Sequence, residues 1–308
     1  MITIIKSTPI NAMVINVKDS NRSHYNAKMM EVVRKVRENG IYPIARIVVF
    51  QDNELASARP DLSLRDKEGN LWGKSEYHFV DASSREVWEY NLKAAKDALR
   101  MGFLEVNLDY IHFPDGNVDS IVYPAYNGKT PKKDIINEFS RFIMTGIHKE
   151  FPQALVSANI FAYTLLDLDV GIGQDFLDLM QIYDVVAPMI YPSHYTAGNF
   201  GFKNPAEHPY EVVKETLLSG KRMLMPDPVV AASSTASSSS STMAQVTPQP
   251  ILIKAEMRPW IQDFDMGAYY TKEMIEAQVK AIEDVGYHAG WMSWNPRVNY
   301  IPQEYIGL

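Results

Sequence analysis

Short apolar runs alternate with longer amphipathic stretches along this chain of 308 residues. Runs that are apolar along their length are typical of strands buried on both faces. Amphipathic stretches with apolar residues at helical spacing predict helices, and glycines that follow two of them mark helix ends. The predicted strands are residues 11–17, 42–50, 103–110, 154–161, 183–191, 256–263 and 289–295, and the predicted helices are residues 27–38, 84–100, 133–150, 174–181, 209–219 and 272–285.

The regular alternation of strands and helices predicts an α/β fold with a parallel sheet and right-handed crossovers. An open, doubly wound sheet and a (β/α) barrel both fit this alternation. Polar or aromatic residues stand at the C-terminus of every predicted strand. A barrel gathers all of these ends on one face, whereas an open sheet gathers only those near its switch point. We therefore predict a TIM-type (β/α)8-like barrel with seven recognisable strands.

Residues 226–250 (PDPVVAASSTASSSSSTMAQVTPQP) interrupt this pattern. The segment is rich in Ser, Ala and Thr, has Pro at both borders, and contains too little apolar surface to order itself. Strand and helix patterns resume after it. We therefore predict one barrel domain over residues 1–308 with a disordered insertion at about residues 226–250, rather than two domains joined by a linker.

Charge and composition exclude several classes of function. The net charge is −7 and no dense basic run occurs, so the sequence predicts no nucleic-acid partner. No apolar run reaches about 18 residues, and no membrane span is predicted. Without cysteine there are no disulfides, thiolate metal sites or cysteine nucleophiles. The seven histidines and the carboxylates lack the spacings of zinc and calcium sites, and no cofactor is predicted.

Two carboxylates at strand ends are the catalytic candidates. Asp109 follows an apolar run at the end of a central strand, where an acid needs partners, and is the leading candidate. The alternative for Asp109 is a structural carboxylate that caps the next loop or pairs with a cation such as Arg46. Asp263 is the best second carboxylate. Asp52 and Asp19 also follow strands, although capping a loop is the more ordinary role for such residues.

Other residues at the strand ends suit the binding of a sugar, because aromatic faces stack on sugar rings. His194 can bind a hydroxyl or transfer a proton, although a lone histidine in a Pro-containing loop is often structural. Trp291 and Trp294 cannot both point inward, because their spacing is odd, and Trp294 is preferred. Gln262 and Asn295 suit hydroxyl groups but equally suit backbone groups. The predicted substrate-binding residues are Asp19, Asp52, Asn159, Tyr191, His194, Trp260, Gln262, Trp294 and Asn295.

Eight blocks of the sequence, in the same order, resemble the putative glycosyl hydrolase domain family DUF4015. The resemblance implies a TIM-type barrel related to polysaccharide-cleaving enzymes, and hence a carbohydrate substrate. It also suggests an extracellular or cell-envelope location, although the first ten residues lack a signal-peptide pattern. The blocks are IYPIARIVVFQD (residues 41–52), LWG (71–73), VNLDYIHFP (106–114), GIGQDF (171–176), APMIYPSHY (187–195), NPAEHPYEVV (204–213), RPWIQDFD (258–265) and GWMSWNP (290–296).

The chain departs from the family pattern in three places. The family usually shows a strand and a helix before residues 11–17, and only residues 2–6 could remain of that helix. We therefore expect a barrel that is incomplete at its N-terminus. The family pattern also favours an acid where Asn16 and Asn159 stand. An amide keeps the shape of a carboxylate but removes its acid/base chemistry.

Glycoside hydrolysis usually uses two carboxyl groups, one that protonates the leaving oxygen and one that acts as nucleophile or base. The sequence therefore predicts a glycoside hydrolase that cleaves a polysaccharide, with Asp109 as nucleophile or base and Asp263 as its partner. The alternative is a glycan-binding barrel that has lost catalysis, which rests on Asn16, Asn159 and the missing first strand. A third alternative is a fragment that folds poorly.

Overall fold

The centre of the molecule is a curled parallel sheet. The computed structural model describes residues 1–73, 77–116, 118–168, 170–225 and 252–308. Strand order along the sheet is β1-β2-β3-β4-β5-β7-β8, and β6 pairs with β5 alongside β7. The strands are β1 Ala12–Lys18, β2 Tyr42–Val48, β3 Glu105–Asp109, β4 Leu155–Phe161, β5 Val185–Ile190, β6 Glu256–Met257, β7 Trp260–Gln262 and β8 Met292–Trp294.

The strand order distinguishes a barrel from a doubly wound sheet. Each strand lies beside its neighbour in the sequence, without the reversal of order that a doubly wound sheet has at its switch point. In the described residues β1 and β8 share no ladder, so the sheet is a half-barrel. It has seven strands when β6 and β7 are counted as one interrupted strand. The predicted fold class, an incomplete TIM-type barrel, is confirmed.

The predicted strand over residues 256–263 is divided by Pro259 into β6 and β7. Arg258 still donates its N–H to the carbonyl of Val186 in β5. Pro259 has no N–H to continue the ladder, so pairing with β5 resumes only at Trp260.

Helices follow most strands, as the amphipathic stretches predict. The side chain of Asn26 accepts a hydrogen bond from the N–H of Met29 (3.0 Å) and so caps the start of α2. Gly40, with a φ of +74°, follows the end of α2. The helices are α1 Ile2–Lys6, α2 Ala27–Glu38, α3 Asn53–Ala58, α4 Arg85–Arg100, α5 Lys132–His148, α6 Phe176–Ile182, α7 Pro209–Leu224, α8 Lys272–Val285 and α9 Pro302–Tyr305.

The sequence pattern did not reveal α3 and α9, because elements of six and four residues are too short for a helical period. The predicted insertion at residues 226–250 lies outside the described residues. Within the described ranges, no helix combines the length and the apolar character that crossing a bilayer requires.

Side chains alternate between the two faces of the sheet. In β3, Val106 and Leu108 are fully buried in the main hydrophobic core. Glu105, Asn107 and Asp109 point to the other face, into the curl of the sheet, and all three are buried. The inside of the half-barrel is therefore polar, and its groups must find partners across the barrel.

An ion pair joins non-adjacent strands near the N-terminal ends of the strands. Glu105 in β3 is completely buried, and Nη1 of Arg258 lies 2.9 Å from each of its carboxylate oxygens. Arg258 lies between β6 and β7, which are separated from β3 by β4 and β5. The same guanidinium donates from Nε to the carbonyl of Ala289 (3.1 Å). This pair therefore spans the interior and stabilises the curl.

We expect Arg258→Ala to lower the free energy of unfolding by about 3–5 kcal/mol, because it leaves the buried carboxylate of Glu105 without its cation. Urea denaturation measures this change. The control is Lys93→Ala, which breaks the exposed pair of Lys93 with Asp97 (2.6 Å) and should cost at most about 0.5 kcal/mol. Equal losses in the two variants would show that the interior pair has no special importance.

Candidate functional site

A cavity of about 990 Å³ opens at the carboxyl ends of the strands, where a parallel barrel gathers them. Its polar lining includes Arg46, Gln51, Asp66, Asp109, His112, Asp115, Asn159 and His194. Its aromatic lining includes Trp72, Tyr77, Phe79, Tyr110, Phe161, Tyr163, Tyr191, Tyr195, Trp260 and Trp294. A cavity of this size, with many flat aromatic faces and a few polar groups, suits an organic ligand. Among the described residues, no cluster of His, Asp or Glu is arranged to hold a metal ion.

Asp109, the last residue of β3, is 5% exposed and is held by hydrogen bonds on both carboxylate oxygens. Arg46 of β2 reaches Oδ2 with Nε (2.8 Å) and Nη2 (2.5 Å), and the N–H of Tyr110 donates to Oδ1 (2.9 Å). Such charge-assisted bonds stabilise the carboxylate as an anion and orient it. Tyr110 itself adopts a φ of +53°, in the left-handed region that a bulky residue rarely occupies. The strained turn keeps the carboxylate at the cavity.

Arg46 connects Asp109 to two further strands. Its Nη1 donates to Oδ1 of Asn16 in β1 (3.1 Å). Its guanidinium carbon lies 5.3 Å from the ring centre of Trp294 in β8. Because Asn16 is neutral, it does not compete with Asp109 for the positive charge. The two ends of the sheet are thus brought together through the residue that holds Asp109.

Asn159 of β4 lies at the centre of an amide network inside the barrel. Its Oδ1 accepts hydrogen bonds from Nδ2 of Asn107 (2.8 Å) and from Nε1 of Trp260 (2.8 Å). Asn159 is 2% exposed and lines the cavity. Both donors would bind a carboxylate oxygen equally well, so the surroundings of residue 159 accept either an amide or an acid.

Tyr191 and His194 follow β5 on the cavity wall. Tyr191 is buried, and burial, with the nearby charge of Asp109, raises the pKa of its hydroxyl well above 10. His194 is exposed to the cavity, with its ring centre 5.2 Å from that of Tyr191 and 6.1 Å from that of Phe264. The cavity walls still remove enough water to lower the pKa of His194 below its ordinary value of 6.5.

Several cavity residues were missed by the sequence analysis. Tyr110 and His112 stack with ring centres 5.6 Å apart, and Phe161 packs on the other side of His112 at 4.9 Å. Trp72 and Tyr77 come from the segment between α3 and α4. Most of these residues belong to loops. Part of the signal for these residues was in the sequence, since YIHFP and LWG lie within the blocks that resemble the family. No helical or strand periodicity marks them, however.

Asp52 and Asp19, both predicted to bind substrate, act as local structural groups. Oδ1 of Asp52 accepts from the N–H of Leu55 (2.8 Å) and caps α3, while Oδ2 lies 2.6 Å from Nζ of Lys18. Asp52 and Lys18 are each about 1% exposed. Oδ1 of Asp19 accepts from the N–H of Asn21 (2.9 Å) and closes a turn. Neither residue lines the large cavity.

Gln262 and Asn295 likewise bind backbone groups rather than the cavity. Gln262 accepts from the N–H of Ser193 (3.1 Å) and donates to the carbonyl of Phe264 (2.9 Å). The side chain of Asn295 donates to the carbonyl of Asp263 and accepts from the N–H of Arg297 (3.0 Å). These bonds hold the loops after β5 and β8. Binding to backbone groups is the role that the sequence left open for both residues beside the binding of a hydroxyl group.

Asp263 lies on the outer side of the barrel wall. It lines a separate cavity of about 470 Å³, and its carboxylate accepts a hydrogen bond from the hydroxyl of Tyr305 in α9. Tyr305 stacks on Trp291, on the face of β8 opposite to Trp294. The structure therefore does not bring Asp263 and Asp109 into one cavity. Trp260 and Asp263 are separated by an odd number of positions, and an odd spacing puts two residues of a regular strand on opposite faces, as with Trp291 and Trp294. The sequence therefore already indicated that Trp260 and Asp263 do not both face inward.

The predicted site residues thus divide into two groups. The large cavity brings together Asp109, Asn159, Tyr191, His194, Trp260 and Trp294. Asp19, Asp52, Gln262, Asp263 and Asn295 lie elsewhere. The pairing of Asp109 with Asp263 stays a prediction, and their separate cavities weigh against it.

Residues 1–300 match the family model DUF4015, described as a putative glycosyl hydrolase domain. No curated protein sequence matches the chain. The PgaB (BpsB) glycoside hydrolase domain from Bordetella bronchiseptica has a similar structure, with a TM-score of 0.63 and 11% identity over 100% of this chain and 92% of that chain.

Two further solved structures are similar. The alpha-galactosidase TtGalA from Thermus thermophilus has a TM-score of 0.57 and 14% identity, over 98% of this chain and 56% of that chain. The spore cortex-lytic enzyme SleL from Bacillus cereus has a TM-score of 0.54 and 11% identity, over 99% of this chain and 68% of that chain. At these identities the similarity establishes the fold, a TIM-type barrel.

The environment of Asp263 predicts a pH-dependent stability. Burial, opposed by the hydrogen bond from Tyr305, raises its pKa from the ordinary 3.8 to about 7. The folded chain therefore binds this proton more tightly than the unfolded chain, and the stabilisation is lost as the pH rises towards 7. Between pH 5 and pH 8, wild type should lose roughly 2 kcal/mol more unfolding free energy than Asp263→Asn, after allowance for solvent screening. Urea denaturation at both pH values measures this difference, and parallel pH profiles would contradict it.

Proposed function

Because the chain belongs to the putative glycosyl hydrolase domain family DUF4015, we propose that it is a glycoside hydrolase that cleaves a polysaccharide in the large cavity. The observation that carries this proposal is the carboxylate of Asp109. It stands at the end of a central strand, in the cavity, and forms a salt bridge with Arg46.

An oriented carboxylate can act in glycoside hydrolysis as a nucleophile or as a base. Oδ2 of Asp109 is occupied by two N–H groups of Arg46, whereas Oδ1 accepts one hydrogen bond, from the N–H of Tyr110, and keeps a second lone pair for a ligand. The salt bridge with Arg46 fixes the carboxylate in place at the cavity. The proposed role of Asp109 is therefore attack on the anomeric carbon, or activation of the water that attacks it.

The cavity itself supports a glycan as the ligand. Its volume of about 990 Å³ exceeds the space needed by one sugar ring, and its aromatic faces suit stacking on several. Two proteins of similar fold are named an alpha-galactosidase and a spore cortex-lytic enzyme. A polymeric sugar is therefore the substrate class that we propose.

A glycan-binding barrel without catalysis is the second candidate, and Asn159 is the observation that favours it. The family pattern has an acid at this position, and Asn107 and Trp260 donate to the side chain as they would to a carboxylate. Such a protein would retain the aromatic cavity and its affinity for a glycan, but would not turn it over.

Asp109→Asn should reduce the release of reducing sugar from a polysaccharide by about 10³-fold or more, because the variant lacks the attacking anion. The assay uses a panel of bacterial and plant polysaccharides, and circular dichroism verifies the fold. Asp263→Asn is the matched control and should retain cleavage, because Asp263 lines a different cavity. Loss of cleavage in both variants would instead identify Asp263 as the partner that the sequence predicted.

Asn159→Asp separates the two candidate functions. If the chain is a hydrolase, wild type cleaves a polysaccharide of the panel and does not need an acid at residue 159. If wild type binds a polysaccharide without cleavage, and only Asn159→Asp releases reducing sugar, the chain is a glycan-binding barrel. Binding is measured by isothermal titration with the same polysaccharides.

A further inference from the structure

Hydrolysis of an unactivated sugar polymer requires a proton donor for the leaving oxygen as well as a carboxylate. Asp109 has the attacking role in the proposed reaction, and Asp263 lines a different cavity. Another group in the large cavity must therefore supply the proton. The inference that follows rests on the proposed hydrolase function and identifies this group.

The remaining carboxyl groups that line the cavity, in the described residues, are Asp66 and Asp115. Asp66 accepts hydrogen bonds from the backbone N–H of Asn70 (2.8 Å) and from its Nδ2 (3.1 Å). These bonds lower the pKa of Asp66 and keep it ionised. Asp115 is exposed on the loop after β3, so no surrounding side chains fix its carboxylate in one position. Neither has the environment of a general acid.

Two histidines also line the cavity, and only one of them is open to a ligand. His112 is 2% exposed, lies between the rings of Tyr110 and Phe161, and makes a hydrogen bond from Nδ1 to the carbonyl of Phe113 (2.7 Å). His194 is exposed to the cavity, and in the described part of the chain its ring makes no hydrogen bond that would occupy a nitrogen. We propose that His194 is the general acid that protonates the glycosidic oxygen.

The backbone around His194 is fixed, so its ring is presented in a defined place. The N–H of His194 donates to the carbonyl of Tyr191 (2.9 Å), which closes the turn after β5. The N–H of Ser193 donates to the buried side chain of Gln262 (3.1 Å). Gln262 is thus a positioning residue, which explains a buried glutamine at the end of a strand.

Tyr191 lies near both proposed catalytic groups. Its ring centre lies 5.2 Å from that of His194, and the charge of Asp109 is close enough to raise the pKa of its hydroxyl. Asp109 and His194 therefore both lie near Tyr191 and line the same cavity. A sugar bound beside Tyr191 can contact both groups.

The proposed reaction proceeds in two steps. Protonated His194 gives its proton to the glycosidic oxygen while a carboxylate oxygen of Asp109 attacks the anomeric carbon. The electron pair of the broken C–O bond leaves with that oxygen, which becomes a hydroxyl group. Neutral His194 then removes a proton from water, and the water oxygen displaces Asp109 from the anomeric carbon. One glycosidic bond and one water are consumed, and both residues return to their starting states.

This assignment predicts the pH profile of kcat/KM. The charged and titratable groups of the described residues that line the same cavity as His194 are Arg46, Asp66, Tyr77, Asp109, Tyr110, His112, Asp115, Tyr163, Tyr191 and Tyr195. Partial burial lowers the pKa of His194 below 6.5, so its protonated form is present on the acidic side and disappears as the pH rises. Cleavage of a polysaccharide should therefore decline with rising pH from below pH 6.5.

The test compares His194→Gln with wild type on two substrates of the same sugar. One is the polysaccharide that wild type cleaves, and the other is a 2,4-dinitrophenyl glycoside, whose leaving group needs no proton. For the variant, kcat/KM on the polysaccharide should fall about 10²–10⁴-fold, and on the dinitrophenyl glycoside less than about 10-fold. The decline with rising pH should disappear in the variant. His288→Gln, at an exposed histidine outside the cavity, is the matched control and should behave as wild type.

Other outcomes would overturn the assignment. An equal loss on both substrates would mean that His194 only binds the sugar. If Asp115→Asn shows the dependence on the leaving group and His194→Gln does not, Asp115 is the general acid. A wild type that cleaves no polysaccharide of the panel would overturn the hydrolase proposal itself, a result distinct from failure of His194 alone.

Discussion

The polar groups inside the curled sheet can be satisfied only by one another, and this constraint shapes the molecule. A carboxylate or amide in the interior has no access to bulk water, so it needs a hydrogen-bonding partner on another strand. Some partners lie on neighbouring strands. Glu105 and Arg258, and likewise Asn159 and Trp260, lie on strands that are not neighbours in the sheet, and they can meet only because the sheet is curled. The pairs are Glu105 with Arg258, Asn159 with Asn107 and Trp260, and Arg46 with Asp109.

The same constraint prepares the candidate site. A buried anion is stable only beside a cation, so the position of Asp109 depends on Arg46. Arg46 is itself oriented by Asn16 from β1 and by Trp294 from β8. The carboxylate is therefore held by both edges of the half-barrel. Because residue 16 is a neutral amide, Asp109 is the carboxylate that pairs with the positive charge of Arg46.

The outer side of the wall uses similar residues for a different purpose. Asp263 and Tyr305 join the end of β7 to the C-terminal helix α9. These groups fix the ends of the strands from behind, so that the cavity side is free for a ligand. A site of this kind consists of a few exposed groups supported by many that never touch the substrate.

The sequence alone determined the alternation of strands and helices, because apolar runs and helical periods arise from local burial. It also predicted that Asp109, Asn159, Tyr191 and His194 share one cavity, because parallel strand ends in a barrel converge. Alternation separates Trp260 from Asp263, but only the tertiary structure decided which of them faces inward. Likewise, loops brought Tyr110 and His112 to the cavity by contacts that no period encodes. Local patterns follow from neighbours in the chain, whereas the direction of a side chain and its partners depend on residues far away in the sequence.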